Sequence, residues 1–252
     1  MKLIRSMRVV VRGLEFAYPG STRPVLSRLD LDVPSGSVHA VVGPNGCGKS
    51  TLLRVVSGLA KPAAGRVDFI GERRHDNMTA LIFQEPRLIP HWSVGRNVAI
   101  GPEFGSRPPA LYTRIRDFYT KSVGLHRFRD RKPHELSLGQ QTMAGLGRGM
   151  AHDSEVILLD EPFAHIDAPS RMRMRDEFES HWNLEPRTVL LVTHDVEEAV
   201  LMSDRVSVMA PGPGPLVATV EVDAPRPRVE ARRDHPGVLD AIRRVWAALE
   251  GR

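Results

Sequence analysis

The sequence has one cysteine, Cys47. An intramolecular disulfide is therefore excluded, and a reducing compartment is the natural setting. Long apolar runs are missing too. The longest spans five residues, Val245 to Leu249, where a membrane-spanning helix needs about 20. The opening Met1-Lys2-Leu3-Ile4-Arg5 is too short an apolar stretch for a secretory signal. No fixed period recurs, which excludes a fibre or solenoid. Charge of one sign is not massed: 35 Lys and Arg face 30 Asp and Glu, a net +5. Such a balance suits phosphate, anionic lipid or nucleic acid alike, and the scattered arginines choose none of them.

What is present is ordinary for a globular domain. The 252 residues are 41% hydrophobic and 26% charged, enough for a real core in one large domain or a domain with a subdomain. Alternation in Arg8-Val9-Val10-Val11 and in Leu29-Asp30-Leu31-Asp32-Val33 predicts strands over 8–18 and 25–33 with one wet face. Pro19-Gly20 between them is turn chemistry. Val38 to Val42 reads as a buried strand. A helix is expected from about Ser50, stopped by Lys61-Pro62 and Gly65. Strands follow at about 66–70 and 79–83. Residues 93–136 read as helical, broken by Gly101-Pro102 and Arg107-Pro108-Pro109, and another helix spans about 138–151. Beyond that, strands at 156–159, 188–192 and 205–209 alternate with helices at 169–183 and 196–202. Six prolines between 211 and 236 predict a loop-rich tail. A last helix places Leu239, Ile242, Val245, Trp246 and Leu249 on one face, for packing or for a partner or membrane surface. The alternation predicts an α/β fold with a mainly parallel sheet. Residues 93–151 are expected to form a helical subdomain, and 211–252 an extension to a domain of residues 1–210.

Gly43-Pro44-Asn45-Gly46-Cys47-Gly48-Lys49-Ser50-Thr51 matches the phosphate-loop pattern G-x-x-x-x-G-K-[ST], between an apolar strand and a helix. Glycines let backbone N–H groups wrap phosphate oxygens, and the helix N-terminus adds its positive dipole end. Lys49 would reach the β- and γ-phosphates, and Ser50 would hold Mg²⁺. Cys47 beside that helix start is expected to favour thiolate, so that its alkylation blocks ATP; equally, it can be a small filler. Val156-Ile157-Leu158-Leu159-Asp160-Glu161 is an apolar strand ending in two carboxylates. Asp160 would sit near Mg²⁺, and Glu161 would act as general base toward the attacking water.

Between these elements lies His134-Glu135-Leu136-Ser137-Leu138-Gly139-Gln140-Gln141. It resembles the Leu-Ser-Gly-Gly-Gln signature of the ATP-binding cassette (ABC) ATPases. Tyr18, Gln84 in Phe83-Gln84-Glu85-Pro86, Ala164-His165-Ile166-Asp167 and His194 in Val192-Thr193-His194-Asp195 match further motifs in that family's order. The resemblance covers roughly residues 8–250. The stretch from Thr188 to Pro211 and the Pro/Arg-rich tail look like the nitrate, sulfonate, taurine and bicarbonate importer group.

The resemblance implies a P-loop ABC ATPase core with an antiparallel β subdomain and a helical subdomain. It implies two cassettes bound head to tail, ATP lying between the phosphate loop of one and the signature of the other. Tyr18 would stack on adenine. Ser137, Gly139 and Gln140 would meet the γ-phosphate, and Gln84 would reach Mg²⁺ or the water. His194 would orient the water, and Asp167 would couple the two sites. A separate transmembrane permease is implied, with a solute-binding protein acting indirectly; the groove around Gln84 and the Pro86–Val98 segment is its expected docking surface, where Leu88, Ile89 and Trp92 read equally as an apolar patch or as local core packing. The location implied is the cytoplasmic face of the inner membrane. Nucleic acid is not an expected partner.

Three positions depart from the family pattern. Leu138 replaces a usual glycine and is strained if its φ is positive. Met143 replaces a frequent arginine, and His165 a usually small residue. Leu138 and Met143 leave open a regulatory cassette with little turnover. A soluble non-transport ABC ATPase is a further alternative, although the 111-residue spacing from Lys49 to Asp160 leaves no room for a coiled-coil arm, and no cysteine cluster could hold zinc.

Overall fold

A computed structural model describes residues 6–71, 78–100, 109–228 and 233–251. The opening segment Met1 to Arg5 and the breaks at Gly101-Pro102 and Arg107-Pro108 lie outside the described residues. Two sheets organise the chain. The smaller is antiparallel, in the order β2-β1-β4, from β1 (Arg8–Phe16), β2 (Leu26–Val33) and β4 (Ala64–Ile70). The larger runs β5-β6-β7-β3-β8-β9. Its strands are β3 (Val38–Val42), β5 (Thr79–Ile82), β6 (Val156–Asp160), β7 (Thr188–Thr193), β8 (Arg205–Met209) and β9 (Leu216–Glu221). All its pairings are parallel except β8 with β9.

The central strands are buried on both faces, as parallel strands under two layers must be. Alternate side chains therefore serve different cores. Val41, Leu158, Leu190 and Val192 pack with Leu52, Leu53, Val55 and Val56 of α1 (Lys49–Val56) and with the inner face of the small sheet. Val42, Leu159 and Leu191 face the opposite way. That layer holds α2 (Val94–Val98), α4 (Leu138–Ala151), α5 (Ala168–Leu184), α6 (Val196–Met202) and α7 (Pro236–Leu249). With α3 (Pro109–Ser122) and 3-10 turns at His126–Phe128 and Pro133–Glu135, α2 and α4 form the expected helical region.

The tail differs from its reading as loop. Leu216–Glu221 forms β9 and closes one edge of the main sheet. The prolines flank this strand without entering it. The tail is also stapled down by charge. Arg226, bent over the Trp182 ring at 4.3 Å, pairs with Glu179 and with Asp204 at 2.9 Å. Arg228 donates to the carbonyls of Ser203, Val222 and Ala224. The final helix keeps only part of the expected face, Ile242 and Leu249 packing against the core. Val238, Ala241 and Val245 are its buried residues, while Leu239 and Trp246 are about half exposed.

Candidate functional site

The phosphate loop is built where β3 gives way to α1. Gly48 caps α1 with φ 112° and no side-chain hydrogen bond, so the first helical N–H groups stay open to an anion. A Cβ at Gly48 would meet Leu26 Cδ2 at 2.8 Å in a backbone region L-residues avoid. The buried Lys49 folds back on its own loop, donating to the carbonyls of Gly43 at 2.8 Å and Pro44 at 3.0 Å. Phosphate oxygens would compete directly for those donors.

Lys49, Ser50, Thr51, Asn45, Gly46 and Gly48 line one cleft of about 720 Å³ together with Tyr18, Gln84, Glu161 and His194. Gly43, Pro44 and Cys47 do not line it. Tyr18 follows a Pro19-Gly20 turn closed by Ser21 N–H to Tyr18 O at 2.9 Å. Its hydroxyl is 3.0 Å from Thr51 Oγ1 and accepts from Arg54 at 3.0 Å, and its ring meets Phe16 edge-on. The exposed ring is thus held at the mouth, as an aromatic platform for a base requires.

Ser50 Oγ donates to Asp160 Oδ1 at 2.8 Å. Burial pushes the Asp160 carboxyl up, with the Ser50 hydrogen bond opposing. This hydroxyl–carboxylate pair is a hard-oxygen donor set of the kind Mg²⁺ takes, and a dication would offset the buried charge. Gln84 is exposed on the same cleft and could add an amide oxygen. The residues present therefore fit Mg²⁺.

Glu161 is a strained residue of the cleft. Its φ is +45°, an unusual conformation for a non-glycine residue and one that clusters at functional sites. It follows β6, and its N–H is held by Val192 O at 2.9 Å. The side chain is 14% exposed and meets His194 Nδ1 at 3.0 Å. A proton on Nδ1 makes that bond, so His194 can also donate from Nε2 only when the ring is charged.

The other predicted residues form a second cleft, of about 690 Å³, lined by Ser137, Gly139, Gln140, His165 and Asp167 among others. Ser137 caps α4. Its Oγ accepts from Gln140 N–H at 3.3 Å while Gln140 Oε1 accepts from Ser137 N–H at 3.0 Å, a reciprocal capping box. The Ser137 hydroxyl proton stays free to donate. A Cβ at Gly139 would stand 3.0 Å from the His165 carbonyl, so the signature and the 164–167 turn are in contact. Asp167 caps α5 through Ser170 N–H at 3.0 Å, and the hydrogen bonds from Ser170 hold its carboxyl below the usual range. One chain thus keeps its phosphate loop and its signature in separate clefts. His165 lines both, which spacing alone did not reveal.

Several expectations change here. Cys47 is 1% exposed within the core, and burial pushes its thiol up. It is a filler, not a reactive thiolate, because the low-polarity surroundings outweigh the helix end. Leu138 opens α4 half exposed and without positive φ, so it carries no strain. Met143 packs against the main core. Leu88, Ile89 and Trp92 do not form an open apolar patch. All three are half buried, Leu88 packs on the core, Ile89 is tied through its backbone to Asn97, and Arg96 covers Trp92 at 3.9 Å.

Sequence reading also overlooked Glu198. It is almost fully buried, and burial pushes its carboxyl up to about 7, against the opposing influence of the Thr193 hydroxyl.

Comparison with known proteins agrees with this geometry. The pattern of the ABC transporter family matches residues 26–164. The aliphatic sulfonates import ATP-binding protein SsuB 1 of Xanthomonas axonopodis pv. citri is 39% identical over 245 residues, 94% of this chain and 96% of that protein. SsuB 3 of Pseudomonas syringae pv. tomato is 40% identical over 237 residues, 92% of this chain and 83% of that protein. Among solved structures, a dimeric post-hydrolysis state of the ATP-binding cassette MJ0796 bound to ADP and Pi has a TM-score of 0.74. It is 24% identical, covering 86% of this chain and 99% of that one. The chain belongs to the ABC transporter family, as one of its ATP-hydrolysing cassettes.

Proposed function

We propose that this chain energises uptake of a small anionic solute of the sulfonate type through a separate transmembrane partner, working as a head-to-tail pair of cassettes. The observation that carries the pairing is that the phosphate loop and the signature line two different clefts of the chain. The names of the sulfonate-import relatives support the solute class. Among the described residues no helix is long and apolar enough to cross a membrane, so the path for the solute belongs to the partner. That partner would hold the cassettes at the cytoplasmic face of the membrane, with a solute-binding protein delivering from the other side.

In this reading Lys49 leaves the Gly43 and Pro44 carbonyls for the β- and γ-phosphates. Tyr18 stacks on the base. Ser50, Asp160 and Gln84 would hold Mg²⁺, which when bound neutralises charge on the transferring phosphoryl group. Glu161 accepts a proton from the attacking water, and His194 orients that water and the γ-phosphate. Ser137, Gly139 and Gln140 of the second copy close over the phosphates, and Asp167 lies at the seam. Preference of ATP for the closed pair supplies the conformational work. The unstrained Leu138 supports turnover over a purely regulatory cassette.

The test is steady-state hydrolysis beside the Glu161→Gln variant. Wild-type protein should turn over ATP only with Mg²⁺. The variant should lose at least about a hundredfold in kcat, and with ATP should sediment as a dimer. A variant that hydrolyses normally, or stays monomeric with ATP, would refute the reading.

A further inference from the structure

The turn that carries Gln84 is held more firmly than an exposed loop requires. Arg87, three residues past Gln84, has φ +45°. A non-glycine residue keeps that conformation only where its surroundings fix it. Two interactions do so. Arg148 of α4 closes its guanidinium fork on consecutive carbonyls, donating to Pro86 O at 2.8 Å and to Arg87 O at 3.0 Å. The Arg87 guanidinium folds back over the Phe83 ring, 4.1 Å from its centroid. Gln84 and Glu85 lie between these anchors, so the exposed Gln84 projects from a turn clamped on both sides. Helix α4 fits closely against it. A Cβ at Gly145 would touch Pro86 at 3.4 Å, and one at Gly149 would stand 2.1 Å from Ile82 Cδ1. Positions 145, 148 and 149 share one helical face, and that face meets the chain at Ile82, Pro86 and Arg87. The hydrolytic roles above do not use Arg148.

We propose that Arg148 is a positioning residue for hydrolysis, gripping the Pro86 and Arg87 carbonyls so that Gln84 is presented to the cleft that Lys49 and Ser50 line. This rests on the reading that Gln84 serves Mg²⁺ or the attacking water. The physical case is one of aim. A glutamine side chain is long and rotates freely, so the reach of its amide is decided by where the backbone starts it. The planar fork of arginine spans two acceptors at once, which a lysine ammonium does not. Removing an outer contact that orients a metal-site ligand costs about 10–100-fold in affinity or activity.

The experiment has two arms. Without nucleotide, trypsin cleavage after the exposed Arg87 is followed by mass spectrometry. Arg148→Met should speed it about tenfold, because the turn must open before the protease can bind it, while Gln84→Ala should leave it within about twofold. With ATP, kcat, KM and the Mg²⁺ concentration for half-maximal rate are measured for both variants and for their double. Each single variant should lower kcat about tenfold and raise the Mg²⁺ requirement at least about threefold. KM for ATP should stay within about twofold, since Lys49 and Tyr18 still meet the nucleotide. The double variant should be no worse than Gln84→Ala, as residues that act through one another behave. A residue needed only for folding would leave the Mg²⁺ requirement alone and multiply with Gln84→Ala. The inference is overturned if cleavage is unchanged, if the two effects multiply, or if Gln84→Ala is impaired while Arg148→Met keeps its kcat and Mg²⁺ requirement. If Gln84→Ala itself turns over normally, the reading of Gln84 fails and takes the inference with it, whatever the cleavage arm shows. Should Arg148→Met not fold, Arg148→Lys decides by the same criteria, because it keeps the charge but not the fork.

Discussion

Two buried titratable residues make stability depend on pH in opposite directions. His39 sits inside β3 with Nε2 2.8 Å from Ser207 Oγ, and burial pulls it down to about 4. Its folded value lies below the ordinary 6.5, so the neutral form is the one the fold tolerates. Stability is full above pH 6.5 and is lost as pH falls toward 4. Glu198 has the reverse sense for a carboxyl. Its folded value of about 7 exceeds the ordinary 4.5, so stability is highest below pH 4.5 and declines as pH rises to 7. Glu198→Gln should therefore gain melting temperature over the parent above pH 7 and lose that gain near pH 4.5. His39→Gln should gain on the parent as pH falls from 6.5 to 4. Each pH unit within a window corresponds to about 1.4 kcal/mol, or roughly 3–6 °C for a chain of this size. Parallel curves for parent and variants across pH 4–8.5 would refute both assignments.

Elements were legible where pattern and chemistry agree. The central strands β3, β6 and β7 carry short, mostly apolar runs, because burial on both faces demands it, and the phosphate loop shows its strand and helix on either side. Elements misread by sequence are those fixed by tertiary contact. Leu216–Glu221 alternates as a strand should, but the neighbouring prolines dominate the local signal. In α7 the positions 238, 241 and 245 have the same helical spacing as 239, 242 and 246. Only docking against the core and the tail chooses between them. The φ of Glu161 likewise has no sequence signature, since it follows from the turn that β6 makes toward the cleft. The staple on the tail is testable at this scale. Removing Arg226 leaves Glu179, 6% exposed on its side chain, and Asp204 without their main cation. Arg226→Ala should destabilise by about 3 kcal/mol, as breaking a buried ion pair does, measured by urea melts with KM for ATP little changed.

At the scale of the whole molecule, the residues recognised from sequence divide into two groups that one chain holds apart. Motif order names residues of both groups but not this division, which is a matter of where the sheet and the helical region place them. The division predicts complementation between copies. Lys49→Ala disables a phosphate loop, and Ser137→Arg blocks a signature cleft. Each alone should be inactive. In a mixed pair both lesions fall in one composite site, leaving the other intact. Equal mixing should then restore about a quarter of parental turnover, half of the pairs being mixed with one good site each. Continued inactivity on mixing would argue for a site that needs no second copy, or for two sites that fire only together, and ATP-dependent sedimentation would separate these.

The buried Cys47 has a practical corollary. Because the sole thiol of the chain is 1% exposed, the native protein is a nearly silent background for maleimide dyes and spin labels. A cysteine placed at Leu59 or Val217, both more than half exposed, would be the one fast-labelling position. Probe-to-probe distances between copies could then follow the cassettes through a turnover cycle without first engineering the native thiol away.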